Sequence, residues 1–161
     1  MAADIVEFSG ASGGVCSVIG APDADLGMAL ASQGSFSVHH LSRGADACQK
    51  AKNAILSEGL YGTVSARQFD LPHLPYQGNL VNILVIDRWN AMRRKGLTAE
   101  ETLRVIAPLG TGYIGGVSDG RLGFLKKGLR EAGAKNVTVV QHDGAWVRFK
   151  KAWPEDIDQW T

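Results

Sequence analysis

The chain has 161 residues, a formal net charge of +1, 45% hydrophobic and 20% charged residues, and 20 glycines. The length predicts one domain, the ordinary composition excludes an intrinsically disordered chain, and the near-neutral charge argues against nucleic-acid binding through bulk electrostatics. No stretch approaches the roughly 20 apolar residues of a membrane span. Glycine is the outlier, at about 12% against about 7% in an average protein and without a collagen repeat, and it predicts many tight turns.

The start of the chain and its cysteines and histidines bear on location and metal binding. The first residues run directly into Asp4 without the basic and apolar segments of a signal peptide, which predicts a cytoplasmic protein. An exported chain whose leader had been removed would look the same. Cys16 and Cys48 are too few for a disulfide framework or a metal site and are expected to be buried. His39 and His40 are adjacent in a predicted strand, so they point to opposite faces, and no metal site is predicted.

Strands and helices alternate along the first half of the chain. The predicted elements are, in order, a strand at Val15–Ile19, a helix at Asp23–Ser32, a strand at Phe36–Leu41, a helix at Ala45–Glu58, and strands at Thr63–Gln68 and Asn79–Asp87. Gly59 is the expected cap of the second helix. The last of these strands is the most apolar, and it is therefore predicted to lie at the centre of the sheet.

The second half continues with two helices and three strands. The predicted elements are a helix at Thr98–Ala107, a strand at Gly110–Gly115, a helix at Ser118–Ala132, and strands at Asn136–Gln141 and Ala145–Lys150. Thr98 with Glu101 predicts a capping box, and Pro108 lies just past the helix. The sequence His-Asp-Gly between the last two strands predicts a hairpin. The glycines around the fifth strand indicate either a close helix approach or a weak edge.

This alternation predicts an α/β fold: a Rossmann-like, doubly wound, mostly parallel sheet of seven strands with an antiparallel last strand. We expect residues 1–150 to form a single α/β domain. Residues 151–161 carry two of the four tryptophans and three acidic residues, which is typical of a tail or linker.

The first loop of the predicted sheet lies where a nucleotide-binding turn would lie. In an open parallel sheet, ligands bind beyond the carboxyl ends of the strands, where the strand order reverses. Gly20 is present there, but Pro22 and Ala24 take the places of further glycines. Pro22 has no N–H to donate, and two nearby aspartates repel phosphate while stabilising a helix N-terminus. The loop therefore favours a helix-capping turn over a phosphate cradle.

Polar residues follow the next three strands. Ser42 follows the second strand, where cofactor ribose is usually held by an acid. Asp70 follows the third strand. Asp87 stands at the tip of the most apolar strand and is the best-placed candidate for polar chemistry. The alternative for Asp87 is a helix cap or a pair with Arg88.

These loops resemble those of class I S-adenosylmethionine-dependent methyltransferases over roughly residues 4–150. Val15–Leu26 takes the place of the family's glycine motif, and Ala66–Asp70 matches the strand and acid that flank the adenine. Leu74–Ile86 looks like the family's leucine-proline-aromatic segment and the strand after it, with Asn82 where the family usually has Asp. The resemblance implies the class I methyltransferase fold.

The resemblance also implies which residues would contact the cofactor and substrate. Those that it places against the cofactor are Gly20, Ala21, Ser42, Asp70 and Leu71. Asp87 takes the position where many members put catalytic or substrate-binding groups. Two of the three motif glycines and the ribose acid are missing, and loss of the carboxylate–diol contact alone weakens binding about tenfold to a hundredfold. S-adenosylmethionine is therefore a possible cofactor whose binding is expected to be weak or lost.

A narrower resemblance is to the methyltransferase-like domain that precedes a pyrroloquinoline-quinone-type β-propeller in some bacterial exported proteins. It is carried by Gly59–Gly62, Leu74–Tyr76, Asn79–Asn82 and the tail Trp153–Trp160. It implies an exported bacterial domain whose C-terminal tail leads to a β-propeller domain or another protein partner.

These features are compatible with three functions. The preferred hypothesis is a methyltransferase-like pseudoenzyme that serves as a non-catalytic binding or interaction module. The alternative is an active small methyltransferase, because methyl transfer needs mainly the alignment of two groups and no visible triad. RNA binding would use Trp89 as a stacking platform among basic residues. Those basic residues are Arg88, Arg93, Arg94, Lys95, Lys126, Lys127 and Arg130. A solvated basic face is favoured over this third function.

Overall fold

The computed structural model describes residues 1–153, and within them the chain forms seven strands and six α-helices. The strands are β1 Gly13–Ile19, β2 Ser35–Ser42, β3 Val64–Gln68, β4 Val81–Ile86, β5 Ile106–Ile114, β6 Ala134–Gln141 and β7 Ala145–Lys151. The helices are α1 Ala2–Ser9, α2 Asp25–Ala31, α3 Ala45–Ser57, α4 Trp89–Arg94, α5 Ala99–Val105 and α6 Leu122–Glu131. Of the predicted tail, residues 151–161, the part from position 154 onward lies outside the described residues.

The strands form one mixed sheet in the order β3-β2-β1-β4-β5-β7-β6. The first five strands run parallel, and β7 is antiparallel to both β5 and β6. This confirms the predicted Rossmann-like α/β fold. The strand order reverses between β1 and β4, so this pair marks the point where ligands of such sheets bind. At the other end of the same pair, the Asn82 side chain accepts a hydrogen bond from the Val15 N–H at 2.9 Å.

Two hydrophobic clusters cover the two faces of the sheet. Consecutive residues of β4 alternate between them: Ile83 and Val85 join one cluster, and Leu84 and Ile86 join the other. All four side chains are fully buried, which confirms that this strand is central. None of the helices within residues 1–153 is both long and apolar enough to cross a membrane.

The predicted third helix ends two residues too late, and the predicted fifth strand begins four residues too late. α5 ends at Val105, and Ile106 already pairs with Val81 in the sheet. Ile106 and Ala107 are apolar and suit a buried helix or a buried strand equally, so periodicity alone does not separate the two structures. Pro108 lies inside β5, where the ladder with β4 is irregular. Such irregularities are where a sheet tolerates proline.

The predicted capping box is only half formed. The Thr98 hydroxyl oxygen accepts a hydrogen bond from the Glu101 N–H at 3.1 Å. The Glu101 carboxylate does not complete the box, because it accepts hydrogen bonds from the Leu74 N–H at 2.7 Å and from the Arg104 guanidinium. The helix start was therefore correctly predicted, while the glutamate holds a distant loop.

Candidate functional site

The loops after β1, β2 and β4 meet at the carboxyl edge of the sheet. The Asp87 N–H donates to the Ile19 carbonyl at 2.8 Å, and the Gly20 N–H donates to the Leu41 carbonyl at 3.2 Å. These bonds continue the parallel ladders past the strand ends. They bring Gly20 and Asp87 together on either side of the point where the strand order reverses, which we call the switch-point crevice.

Gly20 packs against a side chain of α4. Its φ of +76° lies in the left-handed region that favours glycine. A Cβ at this position would lie 2.5 Å from Cε of Met92 and 2.8 Å from the Asp87 carbonyl oxygen. The backbone conformation and the Asp87 carbonyl therefore favour glycine here, and the methionine methyl group occupies the adjoining space. Met92 itself is 5% exposed.

The third loop, which follows β3, packs against the segment after β4. Phe69 and Leu74 are buried and belong to the same hydrophobic cluster as Met92 and Leu97. Pro72 lies against Gly96, where an added Cβ would come within 3.0 Å of the proline ring. Apolar side chains from the third loop and from the segment after β4 thus belong to one cluster.

The remaining residues predicted to bind the cofactor differ widely in exposure. Ser42 is buried, and its hydroxyl has no hydrogen-bond partner among residues 1–153. Asp70 is exposed, while Ala21 and Leu71 are half-buried. Their contacts with a cofactor stay predictions, and the structure adds that the serine hydroxyl is an unpartnered polar group.

Asp87 uses one carboxylate oxygen locally. Its Oδ1 accepts a hydrogen bond from the Arg88 backbone N–H at 2.7 Å. Arg88 has a φ of +55° and is the N-terminal cap residue of α4. Asp87 also lines a cavity of about 590 Å³ at the ends of β4 and β5, and residues of the β6–β7 hairpin, among them His142 and Trp146, form its far wall.

A charged cluster beside this cavity attaches α1 to the sheet. The Asp4 carboxylate accepts a hydrogen bond from the Tyr113 hydroxyl at 2.9 Å, and it lies 3.0 Å from Nε2 of His142 and 3.4 Å from Arg148. Burial raises the pKa of Asp4, but the hydrogen bonds from His142 and Tyr113 and the Arg148 charge outweigh it and hold this pKa below its usual range. Sequence reasoning missed this cluster. The signal was the apolar spacing of Ile5 and Phe8 around Asp4.

A second polar group lies between β1, β2 and the third loop. The Tyr76 hydroxyl donates to Oγ of Ser17 at 2.9 Å and lies 3.2 Å from Nδ1 of His39. Burial lowers the pKa of His39 and raises that of Tyr76 to about 12. Ser17 is fully buried, so this group anchors the loop and offers no accessible nucleophile. Within the described part of the chain, no three His, Cys, Asp or Glu side chains are arranged to hold a metal ion.

The aromatic residue on which RNA binding depended is in the core. Trp89 is 5% exposed and packs in the same hydrophobic cluster as Met92. A buried indole offers no face to a base, so the stacking role considered for Trp89 was wrong.

Comparison with known proteins shows that the chain is similar in fold to several solved structures. The chain matches no protein-family model and no curated protein. A solved structure described as an S-adenosyl-L-methionine-dependent methyltransferase from Methanococcus maripaludis has 21% identity and a TM-score of 0.78, covering 97% of this chain and 85% of its own. An Aquifex aeolicus methyltransferase that depends on the same cofactor has 15% identity and a TM-score of 0.71, covering 92% and 87%.

A third similar structure carries a different description. It is a [4+2]-cyclase with 14% identity and a TM-score of 0.74, covering 95% of this chain and 81% of its own. At these identities the likeness concerns the fold. The chain has the Rossmann-like fold of class I methyltransferases.

Proposed function

We propose that this chain is a methyltransferase-like domain that does not transfer methyl groups and acts as a binding or interaction module. The observation that carries the proposal is the position of Met92. Its methyl group lies against Gly20 and the Asp87 carbonyl, in the crevice where the fold would place a ligand.

Cofactor binding would have to displace this packing. Returning a buried methionine side chain to water costs about 1.5–3 kcal/mol, which is about a tenfold to a hundredfold loss of affinity. Pro22 cannot donate an N–H, and Ser42 offers a neutral hydroxyl where a carboxylate would hold the ribose. On these grounds the residues present do not fit S-adenosylmethionine well. The fold alone does not specify methyl transfer either, since one similar structure is described as a cyclase.

The module is proposed to act on a protein partner. The similarity of the tail Trp153–Trp160 to the domain that precedes a β-propeller supports a propeller domain or another protein as that partner. The same proposal includes export of the protein from the bacterial cytoplasm. Residues 154–161 lie outside the described residues.

Calorimetric titration with S-adenosylmethionine and S-adenosylhomocysteine tests the proposal. The intact chain is expected to show no saturable binding with a dissociation constant below about 100 μM. Met92→Ala removes the side chain beside Gly20 and is expected to bind S-adenosylhomocysteine more tightly than the unchanged chain does. Met28→Ala, in α2, is the matched control, and thermal melts verify that each variant is folded.

Two results would count against the proposal. Saturable binding by the unchanged chain below about 100 μM contradicts the loss of the cofactor site. Equal affinities for the unchanged chain and Met92→Ala contradict the role given to Met92.

The alternative function is an active small methyltransferase. The cavity of about 590 Å³ beside Asp87 favours it, because the volume suits a small acceptor at the carboxyl edge. The unpartnered hydroxyl of Ser42 is a polar atom that a ligand could satisfy. S-adenosylmethionine supplies the methyl group in such enzymes, and this chain would contribute mainly alignment. Tight binding in the titration above would support this alternative.

A further inference from the structure

A second cavity lies outside the switch-point crevice. It has a volume of about 650 Å³ and is lined by α4, α5, the link between them and α6. We call it the helix groove. Leu97 and Leu125 give it a buried apolar floor, and Phe124 stands at its side with 79% of its surface exposed. An exposed phenylalanine next to an apolar floor is typical of a surface that binds a partner.

The walls of the helix groove are basic. Arg93 and Arg121 both line it, and Glu100 is the only acidic residue among its lining residues. Within residues 1–153, neither arginine has a carboxylate oxygen within 4.0 Å of its guanidinium nitrogens. The cations that do form ion pairs there are Arg104, Lys127, Arg148 and two histidines. Two guanidinium groups without ionic partners next to an apolar floor complement a ligand that carries both carboxylates and an apolar group.

We infer that the helix groove binds an acidic peptide segment of a partner protein. A bulky apolar side chain of that segment packs against Phe124 and Leu125, and flanking carboxylates pair with Arg93 and Arg121. Aromatic residues and arginine are the residue types that dominate binding at protein interfaces. The inference rests on the proposed role as an interaction module, and it names the chemistry of the partner.

Other ligands fit the helix groove less well. A nucleic acid would need several exposed aromatic faces for successive bases, and of the two aromatic side chains that line the groove Phe124 is exposed while Trp89 is buried. A free small anion would satisfy the arginines but leave most of Phe124 in water. An acidic peptide covers both features at once.

Selection from a display library of random twelve-residue peptides tests the inference. We expect the unchanged chain to enrich peptides with two or more Asp or Glu residues beside one Leu, Ile, Phe or Trp. The most enriched peptide, fluorescently labelled, then serves as the probe in anisotropy titrations at low and physiological salt. Phe124→Ala and the double variant Arg93→Glu/Arg121→Glu are each expected to weaken its binding at least about tenfold.

Matched substitutions on α3 serve as controls. Leu56 is another exposed apolar residue, 55% exposed, and Lys52 is another exposed cation. Leu56→Ala and Lys52→Glu make the same kinds of change away from the helix groove. Binding within about twofold of the unchanged chain is expected for both, since neither residue lines the groove.

Four results would overturn the inference. The first is that no acidic peptide is enriched, and the second is that the groove variants bind the peptide as tightly as the unchanged chain does. The third is that oligouridylate binds more tightly than the peptide at physiological salt. The fourth is that millimolar citrate competes fully with the peptide. Oligouridylate binding would assign the basic wall to RNA, and citrate competition would assign it to a small anion. None of these results touches the cofactor titration. A failure here is therefore distinguishable from a failure of the proposed function.

Discussion

One glycine within β5 and one directly after it make room for aromatic rings of the neighbouring strand. Gly112 faces the ring of Phe149, and Gly115 faces the indole of Trp146. A Cβ at Gly112 would overlap the phenylalanine ring, and one at Gly115 would lie 2.6 Å from the indole. Neither a close helix approach nor a weak edge explains these glycines. They are small because large residues of β7 fill the space on their side of the sheet.

Gly112→Ala is therefore expected to destabilise the protein by about 1–3 kcal/mol, as overpacking in a rigid core does. Urea denaturation measures this free energy. Gly128→Ala in α6 is the matched control, because its Cβ would lie an ordinary 3.8 Å from that of Ala99. It is expected to raise stability by about 0.5–1 kcal/mol through helix propensity. Gly112→Ala with unchanged stability would contradict the packing described.

Single residues were predictable where their local surroundings decide their role. Cys16 and Cys48 are both buried and free, as predicted, and burial raises the pKa of the Cys16 thiol to about 12. Gly20 was singled out as a cofactor-binding glycine, which stays a prediction, and the structure shows it at a positive φ against Met92. This arrangement was not predictable, because Met92 lies 72 positions along the chain and its contact with Gly20 depends on tertiary packing.

At the scale of elements, α5 holds the third loop in place. Its Glu101 carboxylate accepts a hydrogen bond from the Leu74 N–H, and its Arg104 donates to the carbonyls of Leu74 and Tyr76. The two side chains also form an ion pair at 2.7 Å, and His73 lies 3.9 Å from the same carboxylate. The hydrogen bond from Arg104 holds the pKa of Glu101 below its usual range. The third loop is thus tied to a helix by charge.

Glu101→Gln is expected to lower the free energy of unfolding at pH 7 by about 1–2 kcal/mol, a value that allows for the solvent exposure of Arg104. Because the folded pKa of Glu101 is depressed, its contribution is complete above the unfolded pKa and is lost as the pH falls through the folded pKa. The difference between the two chains should therefore shrink below about pH 4. Urea denaturation at pH 7 and pH 3 measures it. A difference that is equally large at pH 3 would contradict a role for the charge.

Most elements were predictable because their apolar residues are periodic or lie between turn signals. Two helices were not predicted from the sequence: α1, of eight residues, and α4, of six. A six-residue helix spans fewer than two turns, so it shows no repeat by which to recognise it. α4 is also the helix that carries Met92, so this omission concealed the main feature of the site.

At the scale of the whole molecule, the type of sheet could be predicted from the sequence. The packing of side chains in the switch-point crevice could not. Alternating strands and helices predict parallel pairing and right-handed crossovers, and the closing hairpin predicts the antiparallel strand. The strand order seen in the structure places the switch point between β1 and β4. Whether a crevice at that point is open depends on which side chains meet there. In this chain α4 begins directly after the β4 loop and sets the Met92 methyl group against Gly20.

The most direct test of this account is the methyl NMR signal of Met92. The chain has three methionines, so protein labelled with ¹³C at the methionine methyl groups gives three signals, and Met92→Leu assigns the third. The account predicts a nuclear Overhauser contact between the Met92 methyl group and Gly20, and a Met92 signal that stays in place as S-adenosylhomocysteine is added. A Met92 signal that shifts along a saturable curve, with a dissociation constant below about 100 μM and Met28 unchanged, would contradict it.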